Sequence, residues 1–459
     1  MKTFFTKSAL YLALTIPAFF FLGCDDSEEG GSYEFSVEPT VLTFSAKQET
    51  QTLSVRTYGD WSIVLPQDAA WLKVSAMSGR GPAEIEVTAE NYYRTDTSRT
   101  ARLTVTGDFP VEVVQQKLQM NDLSAAGKAN CYIVPTSGDF VIDAATQGNS
   151  ESEQVGEWTS AELLWEDNRE LITDLYGDPE SKRIFFSTAA AGNAVIAVKD
   201  ASGKILWSWH IWATDFDPNA KTLKYTNDNG STWEFMDRNL GAANAESGSF
   251  GAFGLLYQWG RKDPFTAATA FAPENPSETI RWNMLNNPLP AMASDADSMG
   301  TVQLSIEHPT SFYVTRYAHG DWNGQPDPDL WGAVSGQKTV YDPCPAGWRV
   351  PAYDAQGDSP YAFVTRQTTT GTDNIGRIYT DGNGNDFLFP VAGSRVNGTG
   401  TLDCPGNYGS LWTATGKTTS NEDGTIEYGC LLFFTTGRLV SATYYDTRSQ
   451  GVSVRCVKE

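Results

Sequence analysis

The segment Tyr341-Asp-Pro-Cys-Pro-Ala-Gly-Trp-Arg-Val-Pro351 decides the fold of the largest part of this chain. Its three prolines fix φ and withhold backbone donors, so the segment is neither a regular strand nor the interior of a helix. We therefore predict a rigid corner that contains Cys344. A second cysteine, Cys456, lies in the short alternating run Val452-Ser-Val-Arg-Cys-Val457. In an oxidising compartment, a bridge between the two cysteines would close a long loop, and the chain-entropy model predicts a stabilisation of about 4 to 5 kcal/mol.

The same corner and the ending Gly451-Val-Ser-Val-Arg-Cys-Val-Lys458 resemble the signatures of the Fibrobacter-type major paralogous domain, a family of bacterial surface proteins. Further matching stretches, in the family's order, are Met236-Asp-Arg-Asn-Leu-Gly-Ala242, Tyr257-Gln-Trp-Gly-Arg-Lys-Asp-Pro-Phe265, His308-Pro-Thr310 and Asp329-Leu-Trp-Gly332. The resemblance covers roughly residues 220–459 and implies a fold related to C-type lectins and to the formylglycine-generating enzyme. We therefore expect an α+β, C-type-lectin-like domain with long loops over residues 216–459.

Residues 1–24 have the pattern of a bacterial lipoprotein signal peptide. Two lysines precede an apolar run of secretory length, and Phe21-Leu-Gly-Cys24 resembles a lipobox. The run is short for a spanning helix, which makes a retained anchor the less favoured alternative. We predict lipidation at Cys24, an acidic tether over residues 25–32 and anchoring in outer-membrane lipid. The acidic residues after the cysteine resemble the surface-export signal of Bacteroidetes lipoproteins, which favours the outer surface over periplasmic retention.

Residues 33–118 have the pattern of a small β-sandwich. Alternating runs such as Thr52-Leu-Ser-Val55 and Ala83-Glu-Ile-Glu-Val-Thr88 are separated by glycine-rich turns. The pattern around Trp61 and Trp71 resembles the BACON domain of Bacteroidetes, which implies either a carbohydrate-binding domain or a spacer. Because both tryptophans lie on alternating runs, we expect them to pack in the core.

Residues 121–215 are predicted to form a second β-sandwich module. Its strands include Asn130-Cys-Tyr-Ile-Val134, Gly192-Asn-Ala-Val-Ile-Ala-Val-Lys199 and Lys204-Ile-Leu-Trp-Ser-Trp-His-Ile-Trp212. The module resembles one that often precedes the C-terminal family domain in such lipoproteins. His210 lies in period with its neighbours on the last strand, so we expect it to be structural. The predicted fold is therefore mainly β, with two Ig-like sandwiches followed by the α+β domain.

Five cysteines remain after the lipidation site, and an extracytoplasmic compartment permits disulfides. With Cys344 and Cys456 paired, the natural second disulfide joins Cys404 to Cys430. Cys131 is then expected to be a buried, small hydrophobic side chain.

The sequence offers little for metal or catalytic chemistry. The chain has three histidines and no C-x-x-C spacing, which disfavours a zinc site. Thr380-Asp-Gly-Asn-Gly-Asn-Asp386 lacks the sixth-position glycine of a calcium loop, so we interpret it as a hairpin turn. P-loop, G-x-S-x-G and H-E-x-x-H motifs are absent. We predict no metal, no cofactor and no catalysis; an enzyme of the formylglycine-generating type is the least favoured alternative, since none of its catalytic residues can be matched.

The formal net charge of −23 argues against a nucleic-acid partner. Within His319-Gly-Asp-Trp-Asn-Gly-Gln-Pro-Asp-Pro-Asp-Leu-Trp331, Trp322 and Trp331 lie among Asp and Asn residues. That composition suits stacking on sugars or contact with proteins, which makes the two tryptophans candidate ligand-binding residues, although Trp331 falls in a family motif and packing of the long loop is the favoured interpretation. We predict a non-catalytic surface lipoprotein whose lectin-like domain binds glycan or protein, as an adhesin or a fibre accessory. The alternative is a structural scaffold of the cell envelope without a soluble ligand.

Overall fold

The computed structural model describes residues 35–94, 97–295, 300–314, 320–366, 369–370, 376–421, 424–437 and 439–459. The predicted signal peptide, the acidic tether and Cys24 lie outside these residues. The chain divides into two compact units, Met1–Leu118 and Gln119–Glu459. Within the described ranges, no helix has both the length and the apolar character that a bilayer crossing requires.

The N-terminal unit is a β-sandwich, as the sequence predicts. Its strands are β1 (Ser36–Glu38), β2 (Val41–Phe44), β3 (Glu49–Arg56), β4 (Asp60–Val64), β5 (Leu72–Val74), β6 (Ser78–Arg80), β7 (Ala83–Ala89), β8 (Arg99–Val105) and β9 (Phe109–Gln115). They form the sheets β1-β3-β7-β5 and β2-β9-β8-β4-β6, whose inward-facing alternate residues share one core. Trp61 is buried in that core, as predicted, and its indole Nε1 donates to the carbonyl of Gly81. Trp71 is half-buried at the edge of the core, with the guanidinium of Arg99 4.2 Å from its ring centroid.

The second unit begins with another pair of facing sheets. Its first strands are β10 (Asn121–Asp122), β11 (Cys131–Val134), β12 (Gly138–Asp143), β13 (Ser160–Glu166), β14 (Ile172–Asp178), β15 (Arg183–Thr188), β16 (Gly192–Lys199) and β17 (Ile205–Ala213), with a 3-10 turn at Leu123–Ala126. The sheets β10-β12-β15-β14 and β11-β17-β16-β13 enclose a core of their own. The chain is therefore mainly β up to this point, as expected.

The rest of the unit is also mainly β, with short strands joined by long irregular segments. Its elements are β18 (Thr222–Thr226), β19 (Thr232–Met236), a 3-10 turn at Phe250–Ala252, β20 (Leu256–Gln258), β21 (Ser294–Asp295), α1 (Val302–Glu307), β22 (Phe312–Tyr313), β23 (Trp348–Arg349), α2 (Ala362–Arg366), β24 (Thr369–Thr370), β25 (Gly376–Thr380), β26 (Asp386–Pro390), β27 (Ser394–Arg395), β28 (Leu402–Asp403), β29 (Tyr408–Asn421), β30 (Gly424–Thr435), β31 (Val440–Thr447), β32 (Gly451–Ser453) and β33 (Val457–Lys458). The largest sheet has the order β28-β27-β32-β29-β30-β31, and β18-β19-β33-β23 brings the C-terminal strand beside the proline corner.

The second sandwich and the C-terminal region share a hydrophobic core, which differs from the separate modules expected over 121–215 and 216–459. Cys131, Trp165, Val195 and Trp212 of the sandwich lie in one buried cluster with the indoles and aliphatic side chains of the C-terminal region. These side chains bury the outer face of the β11-β17-β16-β13 sheet. Residues 119–459 therefore form one compact unit rather than two.

Candidate functional site

A disulfide joins the proline corner to the C-terminal strand, as the sequence predicts. Cys344 and Cys456 form a disulfide with Cα atoms 6.0 Å apart, and both residues are fully buried. The buried carboxylate of Asp342 organises the corner: Oδ1 accepts the N–H of Cys344 at 2.8 Å and Oδ2 accepts the N–H of Val350 at 2.9 Å. The predicted disulfide is confirmed, and it fixes the C-terminal strand to this corner.

The second predicted disulfide is absent from the structure, where Cys404 and Cys430 are both free thiols. Cys430 is buried in the middle of β30, opposite Tyr445. Cys404 lies in a turn after β28 with φ of +49°, and its thiol donates to Asp403. The predicted Cys404–Cys430 disulfide is therefore wrong, because one thiol lies inside a sheet and the other in a separate turn. Cys131 is free and buried, as predicted.

Trp322 and Trp331 do not form a ligand-binding surface. They are 1% and 0% exposed, and both belong to the core that the sandwich and the C-terminal region share. The Trp322 indole donates to the carbonyl of Trp259 at 2.8 Å, and the Trp331 indole donates to the carbonyl of Tyr341 at 3.1 Å. A role in stacking on sugars is therefore wrong for both residues. Their indoles are buried and attach the loop to the core.

The structure agrees with two other predictions, a structural role for His210 and a hairpin turn at residues 380–386. His210 is buried, its Nε2 lies 3.0 Å from Oδ1 of Asn193, and burial lowers its pKa to about 3. Residues 380–386 form the turn of the hairpin β25–β26, with Thr380 paired to Asp386. In the described ranges, no group of three or more His, Cys, Asp or Glu side chains is arranged to hold a metal ion.

The same loop that carries the two tryptophans contributes to a polar cavity of about 480 Å³, which we call the acidic pocket. It is lined by Asn149, Ser150, Glu153, Asp327, Asp329, Leu330, Lys338, Thr339, Val340 and Tyr341. One wall is the turn between β12 and β13, and the other is the long segment between β22 and β23. The volume is within the range of about 300 to 1,000 Å³ typical of small-molecule sites.

A buried asparagine fixes the loop wall of the acidic pocket to the second sandwich. Asn130 donates from Nδ2 to the carbonyls of Val340 and Asp342, at 2.7 and 2.8 Å, and its Oδ1 accepts the indole N–H of Trp207. On the opposite wall, a Cβ at Gly148 would lie 2.5 Å from the carbonyl of Val340. The sandwich turn and the C-terminal loop are therefore in close contact at this point.

The loop wall has a fixed shape because Asp329 caps a tight turn. Its Oδ1 accepts the N–H groups of Val334 and Ser335 at 2.8 and 2.9 Å, and its carbonyl accepts the N–H of Gly332 at 2.8 Å. Gly332 has φ of +74°, and a Cβ there would lie 1.7 Å from the carbonyl oxygen of Gln337. Such a turn requires glycine.

The electrostatic character of the acidic pocket is negative. Glu153, Asp327 and Asp329 line it, whereas the ammonium group of Lys338 is bound to the proline corner and not available to a ligand. Lys338 donates to three backbone carbonyls of the proline corner, at 2.5 to 3.0 Å, and pairs with Glu459 at 3.4 Å. Burial, followed by the charges of Glu153 and Asp327, raises the pKa of Tyr341 above its usual value. The phenol is therefore a neutral donor at physiological pH.

The lining residue Asn149 ties the two walls of the acidic pocket together. It donates from Nδ2 to the carbonyl of Lys338 at 3.1 Å, while its buried Oδ1 has no hydrogen-bond partner among the described residues. The acceptors of the pocket are the carboxylates of its acidic lining residues. The pocket is therefore suited to a ligand that presents several O–H or N–H groups.

Comparison with known proteins gives one family match. Residues 61–116 match the family described as "BACON: Putative binding domain, N-terminal". The match lies inside the N-terminal sandwich, where the sequence patterns predict this domain. No curated protein matches the chain.

Similar solved structures cover parts of the chain. One is the GH5 xyloglucanase of Bacteroides ovatus in complex with a XXXG heptasaccharide, 25% identical over 23% of this chain and 27% of that chain, with a TM-score of 0.17. Others are the CupB2 chaperone of Pseudomonas aeruginosa (14% identity, 38% and 98% coverage, TM-score 0.16) and domains 5–6 of the S-layer protein SbsC (14%, 39% and 97%, 0.15). This chain spans about a quarter of the xyloglucanase, and TM-scores this low do not establish a shared fold.

Proposed function

We propose that this protein is a non-catalytic, lipid-anchored surface protein that binds glycans at the acidic pocket. The observation that carries the proposal is the set of acidic lining residues, Glu153, Asp327 and Asp329, around a cavity whose one lysine is bound to the proline corner. The sequence of this loop also indicated a ligand-binding site, although acidic residues rather than the two tryptophans line the cavity.

A sugar ring supplies the hydrogen-bond donors that match the acceptors of the acidic pocket. Each hydroxyl group of a pyranose can donate a hydrogen bond, and a bond to a charged acceptor contributes about 1.5 to 3 kcal/mol. The half-buried ring of Tyr341 offers an apolar surface with a polar end, as sugar-contacting aromatic residues do. Three carboxylates would repel uronic acids and sulfated sugars, so we expect the ligand to contain neutral or amino sugars.

Two sequence features support the rest of the proposal. The BACON match adds a domain of a binding family to the same chain, and that family's name suggests carbohydrate as its ligand. Two modules on one chain can engage one polysaccharide with more avidity than either alone. The lipobox at Cys24 and the acidic residues after it support attachment to the outer face of the outer membrane.

The test is a glycan array probed with the unlipidated mature chain, residues 24–459 with Cys24→Ala, followed by calorimetry on each hit. Glu153→Gln and Asp327→Asn should each weaken binding roughly tenfold, the equivalent of a lost charge-assisted hydrogen bond. Glu246→Gln removes an exposed carboxylate elsewhere in the same unit and should leave the affinity unchanged. Absence of any glycan hit, or hits that both pocket variants retain at full affinity, would overturn the proposal.

Anchoring needs a separate test in cells. The intact precursor should incorporate radiolabelled palmitate and be cleaved by protease added to whole cells. Cys24→Ala should abolish the labelling. An unlabelled wild-type chain would refute the anchoring part of the proposal without affecting the pocket.

A further inference from the structure

A second cavity of about 360 Å³ lies in the C-terminal unit and shares no lining residue with the acidic pocket. Its walls are the ends of β16 and β17, the glycine-rich segment 241–255, and residues 266–269. Most lining side chains are small or apolar, including Trp212 and Leu255, and the ring of Phe250 is 52% exposed. The cavity is therefore apolar and of a size that fits a small molecule.

Among the described residues that line this cavity, Asp167 alone carries a formal charge. Asn193 holds its carboxylate, donating the backbone N–H to Oδ1 and the side-chain Nδ2 to Oδ2, both at 2.7 Å. Asn193 is itself fixed by a bond from Nδ2 to the carbonyl of Gly241 and by the ring of His210. The carboxylate is thus oriented by neutral donors, and within the described ranges no cation forms an ion pair with it.

A glycine lets this carboxylate approach the backbone at the start of β16 closely. Gly192 has φ of +148°, and a Cβ there would lie 2.4 Å from Oδ1 of Asp167. A side chain at this position would displace the oxygen, so the carboxylate keeps its place only beside glycine. The site is therefore a preformed acceptor at the wall of an apolar cavity, without its counter-ion.

The ionisable neighbours of Asp167 among the described residues form their contacts elsewhere or are uncharged or acidic. Glu166 and Glu170 are acids, and Glu166 already accepts the N–H groups of Glu170 and Ile172. The guanidinium of Arg169 stacks on Trp282 at 3.8 Å. Burial lowers the pKa of His210 to about 3, so its ring is neutral at physiological pH. Burial also raises the pKa of Asp167 to about 6, in spite of the hydrogen bonds from Asn193, which is the effect expected of a carboxylate taken from water without a cationic partner.

We propose that this cavity binds a small amine, with the ammonium group against Asp167 and an apolar body against Trp212, Leu255 and Phe250. The carboxylate supplies the charge-assisted hydrogen bond and the neighbouring apolar side chains supply the hydrophobic contact. An arylalkylamine satisfies both requirements. The proposal is independent of glycan binding, because the two cavities use different residues.

Calorimetry of the mature chain with three matched probes tests the proposal: 2-phenylethylamine, 2-phenylethanol and phenylacetate. The amine should bind at least tenfold more tightly than the alcohol, and the acid should not bind. Asp167→Asn should bring the amine and the alcohol to similar affinities, whereas Glu180→Gln, an exposed carboxylate outside the cavity, should preserve the difference. Equal affinity of the wild type for amine and alcohol, or no binding of the amine at millimolar concentration, would overturn the proposal.

Two further measurements keep the test independent of the folding of one variant. Ala268→Leu adds bulk to the cavity wall away from Asp167 and should weaken amine and alcohol alike. In the wild type, amine affinity should rise severalfold between pH 5 and pH 7 as Asp167 ionises, because the amine stays protonated throughout. An unchanged affinity in Ala268→Leu, or a flat pH profile, would contradict the assigned location.

Discussion

Replacing Cys344 and Cys456 together by alanine should lower the free energy of unfolding of the 119–459 unit by about 5 kcal/mol or more. The disulfide closes the sequence from the proline corner to the C-terminal strand. In the oxidised protein it restricts the unfolded chain, and in the double variant that restriction is gone. The effect is large because the loop is long, with a sequence separation of 112 residues.

The magnitude follows from the length of the loop. For a sequence separation of 112 residues, the chain-entropy relation gives about 4.8 kcal/mol at 25 °C. Both sulfur atoms are also buried, so their removal adds a packing loss of about 1 kcal/mol each. Because loop entropy acts on the unfolded state, the unfolded double variant should expand more and the denaturant slope should increase.

Guanidinium unfolding followed by tryptophan fluorescence measures this change, since of the 14 tryptophans all but Trp61 and Trp71 lie in residues 119–459. Cys430→Ala is the matched control, because it truncates a buried free cysteine without opening a loop. A double variant within about 1.5 kcal/mol of that control, with an unchanged slope, would refute the loop-entropy reasoning.

Four further predictions follow from single positions or boundaries. Trp322→Ala should cost about 3 to 5 kcal/mol of stability by leaving a core cavity, seen as a lower thermal midpoint, and a loss of glycan binding without destabilisation would contradict it. Gly332→Ala should cost about 2 kcal/mol or more through backbone strain and the clash with Gln337, measured by denaturant unfolding. The raised pKa of Asp167 favours the folded state fully below its ordinary value of 3.8, and this contribution is lost as pH rises through about 6, so Asp167→Asn should flatten the fall in stability over that range. Residues 119–459 expressed alone should fold, whereas residues 216–459 alone should aggregate because they lack part of their core, and a monomeric, cooperative 216–459 fragment would contradict the shared core.

Local rules were enough to predict the elements whose stability depends on near neighbours in sequence. The alternating runs of residues 33–118 identified a sandwich, and the position of Trp61 in such a run identified it as a core residue. The prolines around Cys344 fixed a corner, and a corner beside a terminal strand is a site where a disulfide can form. For the sandwich and the corner, the physical cause lies within about ten residues of the feature that it explains, whereas the disulfide joins two such local features across 112 residues.

Loop composition, by contrast, did not reveal the direction of the side chains in the segment 319–331. Large indoles gain several kcal/mol by burial, while carboxylates lose free energy when they leave water. A loop that carries both therefore places Trp322 and Trp331 in the core and Asp327 at the surface. The acidic pocket could not be predicted for a second reason, because its other wall comes from Asn149 and Glu153, more than 170 residues away in sequence.

The sequence did contain a signal for the shared core, in the two central strands of the second sandwich. A sheet with one face in water alternates apolar and polar residues, whereas β16 and β17 are nearly continuous runs of apolar residues. In the structure their residues are buried on both faces, from Asn193 to Val198 and from Trp207 to Ala213. Strands of this kind require a layer on each side, and the 121–215 segment provides only one. The missing layer is the C-terminal region itself, so a continuous apolar run in a small sandwich indicates that the next segment of chain completes its core.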